Sequence, residues 1–386
     1  MQTLKGIIMT YLLKVEDFVN IEENKSSFVI NDMVAICKRN NNPNRDYLFV
    51  NKYQAKHYPV KAHNTLQLFY ELYQEIKRQI PSDKRILVVG FSETATGIAQ
   101  AIMHMALENK DLKTVFYLQT TRESINTDIQ NISFEEEHSH ASTQKLYYRS
   151  DIPDYDTVLF IEDEITTGNT IVNFIEKFQK VKDGISVAAA SILNWQNTKN
   201  RKIFQEKEIK RIYLVSGQMR DNTPLIELKE TTLEKPRLTS DVHYHLSDNL
   251  NPRTGLTKEE FLVFQETALN RLTSQVSRKS KEETIAVIGT EENMWLPIRL
   301  AQELDAEVRS TTRSPISLSS EDNYLFHNGL ALASAYETNR MTFLYDIERH
   351  YDQIIIVYEV MTDAFRATLQ NKLQPFSKQT LIFVKQ

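Results

Sequence analysis

Residues 155–170 constrain the fold of this chain more than any other stretch. Residues 158–161 are all apolar, which is typical of a strand buried on both faces of a parallel sheet. Two carboxylates follow this run, and a turn with three threonines and one glycine then leads into a helical apolar pattern that begins at Ile171. This order of strand, turn and helix predicts an α/β fold, in which ligands bind beyond the carboxyl ends of the strands.

The polar residues of this stretch are suited to hold a sugar phosphate at both ends. A glycine turn that enters a helix presents free N–H groups to a phosphate, and hydroxyls add further donors. The residues predicted at the phosphate end are Thr166, Thr167, Gly168, Asn169 and Thr170. The carboxylates of Glu162 and Asp163 suit vicinal hydroxyls or a hydrated Mg²⁺ ion. The alternative is a buried strand with an ordinary solvated turn, which does not explain why acids and hydroxyls gather at this edge.

The same stretch resembles the 5-phosphoribosyl-1-pyrophosphate (PRPP) signature of type I phosphoribosyltransferases. The resemblance implies a doubly wound, mostly parallel sheet with an N-terminal hood, and Mg²⁺-assisted transfer of a phosphoribosyl group between pyrophosphate and a nucleobase-like acceptor. It implies that Glu162 and Asp163 bind the ribose hydroxyls, directly or through Mg²⁺, and that residues 166–170 bind the 5-phosphate. Purine-using relatives often carry Asp at the position of Thr166, so its absence here favours an arrangement similar to orotate phosphoribosyltransferase.

Length and composition set wider bounds. A chain of 386 residues is long enough for two domains. The net charge of −5 gives no general attraction to nucleic acid or to anionic lipid, and neither is expected as a partner. The single cysteine and the absence of a long apolar segment lead us to expect a cytoplasmic protein. The sequence leaves open whether the protein forms a homodimer.

The first 80 residues precede the first clear strand of the parallel sheet. Residues 28–37 and 47–50 are predicted to be strands, and residues 66–80 a helix. By the resemblance this part would form a hood over the acceptor base, with Lys56 and His57 near the substrate. The alternative is that these two residues are surface cations.

A second strand, turn and helix unit spans residues 85–107. Its turn contains Ser92, Glu93 and Thr94, at the place where type I enzymes keep the loop that binds pyrophosphate. A glutamate is unusual in an anion site, so we expect Glu93 to bind Mg²⁺ or to cap the helix. The alternative is a plain helix start in which Ser92 or Thr94 is the cap.

Catalytic candidates come from the next segments. Residues 115–122 predict a third strand that ends at Arg122, whose guanidinium could bind an anionic part of the substrate. Residues 134–142 contain His138 and His140 in a segment rich in acids, and we expect a lid that brings these histidines to the substrate. The histidines, together with His57, are candidates for activating the acceptor because histidine titrates near neutral pH. An ordinary solvated segment is the alternative.

The last hundred residues look like a degenerate copy of the first domain. Residues 284–292 parallel 85–93, and residues 351–362 parallel 155–166. The matched residue pairs are Thr311-Thr312-Arg313 with Thr120-Thr121-Arg122, Phe326 with Phe134, and Tyr358 with Glu162. The copy lacks the phosphate loop and is not expected to bind PRPP in the usual manner. Chance similarity between generic α/β units is the alternative.

The segment Thr312-Arg313-Ser314-Pro315 also resembles the TRSP domain attached to a phosphoribosyltransferase family of tellurite-resistance and stress gene clusters. We therefore expect a hood and lead-in helix at residues 1–80, a transferase core at 81–217, a connection with bridging helices at 218–283, and a TRSP-like domain at 284–386. Arg253 in the connection is expected in a surface turn, with contact to an anion as the alternative. Arg313 either binds a small anion or forms an internal salt bridge. A PRPP- or nucleotide-sensing protein without turnover is the alternative to a transferase.

Overall fold

The computed structural model of the protein describes residues 13–386 apart from 41–44, 130, 135–143, 179–183, 237, 239–245 and 248–249. Its first elements are α1 (Val15–Phe18), β1 (Val19–Asn24), α2 (Ile30–Met33), β2 (Val34–Lys38), β3 (Tyr47–Asn51), β4 (Val60–Lys61) and α3 (Ala62–Gln79). The prediction of one strand over residues 28–37 is wrong, because α2 occupies part of it. Asn31 and Asp32 lie in α2 and favour a turn over an extended strand.

The next elements belong to the first half of the chain: β5 (Arg85–Gly90), α4 (Thr96–Asn109), β6 (Lys113–Gln119), β7 (Ile125–Asn126), β8 (Asn131–Phe134), β9 (Gln144–Tyr147), β10 (Thr157–Ile165), α5 (Asn169–Phe178), β11 (Ser186–Asn194), α6 (Thr198–Glu206) and β12 (Ile209–Met219). The connection contains β13 (Glu230–Thr231), β14 (Leu246–Ser247), β15 (Leu256–Thr257) and α7 (Lys258–Gln275). The second half follows with β16 (Ile285–Gly289), α8 (Trp295–Glu303), β17 (Glu307–Ser310), β18 (Leu318–Ser319), β19 (Gly329–Ala333), β20 (Met341–Tyr345), β21 (Tyr351–Tyr358), α9 (Asp363–Leu373), a 3₁₀ turn (Gln374–Phe376) and β22 (Ser377–Lys385).

The first half is built on a seven-stranded sheet with the order β1-β12-β11-β10-β5-β6-β15. Its five central strands are parallel, while β1 and β15 run antiparallel at the two edges. Phe174 of α5 packs on Phe91 and Phe160 with ring centroids 5.8 and 5.2 Å apart, which seats the helix on one face of the sheet. The predicted doubly wound, mostly parallel α/β fold is confirmed.

The second half repeats the topology of the first. Its sheet has the order β22-β21-β16-β17-β4, in which the four strands from the second half are parallel. These four strands match β11-β10-β5-β6 in order and direction, as the predicted repeat requires. The hairpin β19–β20 likewise matches β8–β9, since Thr312 bridges to Phe343 as Thr121 bridges to Lys145.

The residue correspondence within that hairpin differs from the one predicted. Phe134 pairs with Gln144, one residue before Lys145, and Leu332 pairs with Thr342, one residue before Phe343. Leu332 therefore stands in the place of Phe134, and the prediction that Phe326 does so is wrong. Phe326 lies before β19 and packs on Tyr345, with ring centroids 5.0 Å apart.

The two halves exchange their edge strands. The short β4, from the first half, pairs antiparallel with β17 of the second, while β15 pairs antiparallel with β6 of the first. An 18-residue helix follows each strand at once, and the shift between the helices is constant, since both 258 − 62 and 275 − 79 equal 196. The connection therefore contains the second half's counterpart of β4 and α3. Among the described residues, the helices lack the length or the apolar character needed to cross a bilayer.

Candidate functional site at the carboxyl edge of the first sheet

The first sheet has a topological switch point between β5 and β10. From β5 the chain crosses through α4 to β6 on one side, and from β10 it crosses through α5 to β11 on the other. The two strands stay paired up to Gly90 and Ile161, and the Phe91 N–H then donates to the Ile161 carbonyl at 3.1 Å. Beyond this point the strands part, which opens the crevice where open α/β sheets bind ligands.

Glu162 and Asp163 lie at this crevice, although the strand does not end before them as predicted. β10 continues to Ile165 because β11 still pairs with it there, while β5 has turned away. Both carboxylates are half-buried. The Thr94 hydroxyl donates to Asp163 Oδ1 at 2.8 Å, and burial raises the pKa of Asp163 above its ordinary value. Asp163 is thus hydrogen-bonded to the loop that follows β5.

A third acid, which the sequence analysis did not single out, joins the hood to this edge. Glu164 accepts a hydrogen bond from the Arg45 guanidinium at 2.9 Å, and the guanidinium lies 4.9 Å from the ring centre of Tyr47 and 5.0 Å from that of Phe49. Burial raises the pKa of Glu164, and Arg45 opposes that shift. The hairpin β2–β3 is therefore fixed beside the site by one ion pair. Arg45 follows the Asn/Pro-rich turn of the hairpin, and no local pattern marks it as a partner of β10.

The predicted phosphate loop leads from β10 into the N-terminus of α5. Its five predicted residues are half-buried, so their polar groups stay accessible: Thr166, Thr167, Gly168, Asn169 and Thr170. Gly168 has φ +80°, and the Gln196 side chain donates to the Thr167 carbonyl at 3.1 Å. The Asn169 N–H at the start of this ten-residue helix donates to Thr167 Oγ1 at 3.2 Å. The dipole of such a helix favours an anion at its N-terminus, and binding of the 5-phosphate by this loop stays a prediction.

The second predicted loop is buried and held by its neighbours. The Ser92 N–H donates to Thr120 Oγ1 at 2.8 Å, and the Gln144 side chain donates to the Ser92 carbonyl at 3.0 Å. The Ser92–Glu93 peptide bond is cis. The residue that precedes α4 is Ala95, which makes no side-chain cap, so the alternative in which Ser92 or Thr94 caps this helix is wrong.

Glu93 does not cap α4 either. Its carboxylate forms a buried salt bridge with Lys56, and it accepts the Arg313 N–H at 3.3 Å. Lys56 is fully buried and also donates to the Glu291 carbonyl at 2.6 Å. The interpretation of Lys56 as a surface cation is therefore wrong, because the second half covers it. Binding of Mg²⁺ by Glu93 and of substrate by Lys56 stay predictions, and both groups already have partners of opposite charge.

His57 is also buried between the halves, with its Nε2 3.3 Å from Thr312 Oγ1. Burial, reinforced by the nearby charge of Lys56, lowers the pKa of His57 to about 3. It is therefore neither a surface cation nor an effective proton acceptor near neutral pH. His138 and His140 lie outside the described residues. Arg122 is half-buried at the end of its segment, and its N–H donates to Glu292 Oε1 at 3.0 Å.

At the switch point of the second half, the acid Glu359 is bound by other side chains of the protein. Arg253 is 2% exposed, donates to Glu292 Oε2 at 2.8 Å, and binds both oxygens of Glu359 at 2.7 and 2.8 Å. Tyr336 donates to Glu359 as well, at 2.6 Å. The expectation of a surface turn at Arg253 is wrong, since the guanidinium lies where the first half keeps its open crevice. Adding the constant shift of 196 residues to Lys56 and His57 gives positions 252 and 253. The repeat could therefore have indicated Arg253 from the sequence.

A metal at the first site would have few protein ligands. Within the described part of the chain, no group of three or more His, Cys, Asp or Glu side chains is placed to hold one. Mg²⁺ commonly takes one or two protein carboxylates and completes its shell with water and substrate phosphates. The half-buried pair Glu162 and Asp163 has the oxygen donors that such binding needs.

The geometry defines an α/β protein in which one switch point carries two half-buried acids and the other carries Glu359, bound by Arg253 and Tyr336. Comparison with known families agrees with this class. A phosphoribosyl transferase family model matches residues 33–217, and a model for the TRSP domain that lies C-terminal to that transferase matches residues 251–373. The chain belongs to the phosphoribosyl transferase family whose members carry a C-terminal TRSP domain.

Solved structures of type I enzymes are similar to parts of the chain. Adenine phosphoribosyltransferase from Leishmania donovani is 20% identical, with a TM-score of 0.28 over 39% of this chain and 64% of that one. The corresponding enzyme from Giardia lamblia, complexed with 9-deazaadenine, is 13% identical, with a TM-score of 0.34 over 47% and 93%. Orotate phosphoribosyltransferase from Aeropyrum pernix is 15% identical, with a TM-score of 0.27 over 40% and 72%. This chain thus spans less than two thirds of the Leishmania enzyme. No curated protein matches it.

Proposed function

We propose that the protein transfers a 5-phosphoribosyl group between pyrophosphate, as in PRPP, and a nucleobase-like acceptor. The observation that carries the proposal is the 2.8 Å hydrogen bond between Thr94 and Asp163. It joins the loops at the ends of β5 and β10. In this proposal Glu162 and Asp163 lie between the N-terminus of α5, which favours an anion, and the polar loop at residues 92–94. A ligand with a phosphate at one end, a ribose in the middle and pyrophosphate at the other end suits this order of groups.

Each part of the site has a role in this reaction. The N–H groups and hydroxyls of residues 166–170 hold the 5-phosphate, and Glu162 and Asp163 accept hydrogen bonds from the ribose hydroxyls. Ser92 and Thr94 face the pyrophosphate. As pyrophosphate leaves, positive charge develops on the ribose, and the two carboxylates stabilise it where the hood excludes water. Mg²⁺ held by Glu162 and Asp163 together with the phosphates would neutralise the leaving group.

A PRPP-sensing protein without turnover is the second candidate. The burial of His57 favours it, because this histidine cannot take a proton from the acceptor. His138, His140 and Arg122 remain the candidates for acceptor activation and closure over the substrate. Measurement of pyrophosphate release from PRPP and Mg²⁺ across a panel of nucleobases separates the two functions. Release with one acceptor supports transfer, whereas tight PRPP binding without release supports sensing.

The site itself is tested by removing both acids. In the double variant Glu162→Ala, Asp163→Ala, we expect PRPP affinity to fall about tenfold or more by titration calorimetry, since hydrogen bonds to charged groups contribute roughly 1.5–3 kcal/mol. The matched control Glu266→Ala, Glu303→Ala removes two exposed acids from helices α7 and α8 and should bind PRPP as the wild type does. Unchanged affinity in the first variant would exclude this site.

A further inference from the structure

The two halves hold each other's strand-end loops by reciprocal contacts. Thr121 and the Arg122 N–H, both from the first half, donate to the Glu292 carboxylate at 2.7 and 3.0 Å. In return, the Arg313 N–H of the second half donates to Glu93, and the Arg313 guanidinium lies 3.6 Å from the same carboxylate. Glu93 and Glu292 occupy equivalent positions in the repeat. Each half therefore supplies hydrogen-bond donors to the glutamate at the strand end of the other half.

The consequences differ because the proposed PRPP site lies in the first half. Glu93 stands in the loop that is proposed to face pyrophosphate, next to Ser92 and Thr94. An uncompensated carboxylate there would repel an anion at close range. Lys56 and Arg313 both compensate it, and Arg313 comes from the C-terminal half.

The position of Arg313 is fixed by acids other than Glu93. Its guanidinium forms salt bridges with Glu123 and with Glu291, the latter at 2.8 Å, and the side chain is almost completely buried. Arg340 lies beside it and binds Glu123 at 2.8 Å and Glu291 at 3.0 Å. Within the described part of the chain, Arg340 forms no hydrogen bond or salt bridge with Glu93. Arg313 is therefore held at the boundary by Glu123 of the first half and Glu291 of the second, and from there it also contacts Glu93.

We propose that Arg313 is a positioning residue for the pyrophosphate-facing loop, so that the C-terminal half acts as a built-in second subunit of the first half's site. The inference rests on the proposed function. It assigns to the TRSP domain a structural part in binding the pyrophosphate end of PRPP, and no part in holding the ribose 5-phosphate end.

The test compares Arg313→Met with Arg340→Met, which removes the same charge from the same cluster. For Arg313→Met we expect affinity for PRPP and for Mg²⁺-pyrophosphate to fall about tenfold in calorimetry, while affinity for ribose 5-phosphate stays within about twofold. Arg340→Met should change all three affinities by less than about threefold. Adding Glu93→Gln to Arg313→Met removes the carboxylate charge that Arg313 no longer compensates and should recover part of the lost PRPP affinity.

Hydrogen exchange of residues 89–97 without ligand gives a readout that does not depend on the function. Faster exchange in Arg313→Met than in Arg340→Met supports the positioning role, and equal exchange overturns it. Equal losses of PRPP and ribose 5-phosphate affinity in Arg313→Met also overturn it, because that result indicates general damage. If the wild type binds neither ligand, the proposed function fails, and the exchange result alone decides the inference.

Discussion

At the residue scale, Gly168 shows how strictly the phosphate loop is built. Its backbone has φ +80°, and a Cβ placed there would lie 2.5 Å from Phe204 Cε1 and 2.9 Å from Gln196 Nε2. Gly184 has nearly the same backbone, with φ +79°, but no atom of the described residues lies within 4 Å of its Cβ position. Substitution of Gly184 therefore tests the cost of the left-handed backbone alone. Substitution of Gly168 adds the cost of steric overlap.

We predict that Gly184→Ala lowers the free energy of unfolding by about 1–2 kcal/mol, the usual cost of a left-handed alanine. Gly168→Ala should cost a further ~1–3 kcal/mol from overlap with Phe204 and should also weaken PRPP binding. Urea denaturation and calorimetry measure the two effects. Equal losses of stability in both variants would show that the loop yields to the added methyl group.

His57 predicts a pH dependence of stability. Its pKa is about 3 in the folded protein and about 6.5 in the unfolded chain, so the unfolded state binds more protons between these values. Stability is therefore present above pH 6.5 and is lost as the pH falls toward 3, by about 1.4 kcal/mol for each pH unit.

Urea denaturation between pH 7 and 4.5 should show a smaller loss of stability in His57→Gln than in the wild type, by roughly 2–3 kcal/mol over that range. His63→Gln, which changes the exposed second residue of α3, is the matched control and should lose stability as the wild type does. An unchanged slope in His57→Gln would mean that His57 is protonated or exposed in the folded state.

At the scale of elements, local patterns predicted the central strands and helices around the candidate site but not their ends. The apolar run 158–161 predicted a strand, and the structure extends it to Ile165 because β11 continues as a partner after β5 departs. Helix α7 carries a recognisable signal at its N-terminus. Thr257 and Glu260 form a capping box at its start, which is a local signal.

Local sequence patterns could not show that α7 is the counterpart of α3 in the repeat. At the constant shift of 196 residues, the two helices have the same residue only at Leu66 and Leu262 and at Gln79 and Gln275. Each helix needs an apolar face that fits its own neighbours, and many sequences supply one. The shared position appears only when both helices are seen to follow an exchanged edge strand.

At the scale of the whole molecule, the exchange of edge strands makes the halves interdependent. A fragment that ends at Met219 keeps β6 but loses its partner β15, and it loses Met294 and Ile298, which lie against Gly97 of α4. It also leaves Glu93 and Lys56 without Arg313 and the Glu291 carbonyl. Apolar surface would then be exposed to water, and buried charged groups would lose partners.

We predict that residues 1–219 expressed alone aggregate or lack cooperative unfolding. Co-expression with residues 220–386 should give a soluble complex that elutes near the size of the intact chain, because the break falls beside the exposed residues 220–222. Size-exclusion chromatography and thermal denaturation measure both outcomes. A stable, cooperatively folded fragment 1–219 would contradict this interdependence.

The sequence by itself determined the α/β class, the order of strands and helices in each half, and the candidate ligand-binding acids and loops. These follow from short-range patterns, since an apolar run, a turn and an amphipathic helix are set by adjacent residues. Only the tertiary structure decided which charges meet. Lys56, Glu93, Arg253 and Arg313 find partners far along the chain, and the strength of a buried ion pair depends on distance and desolvation, which no local pattern contains.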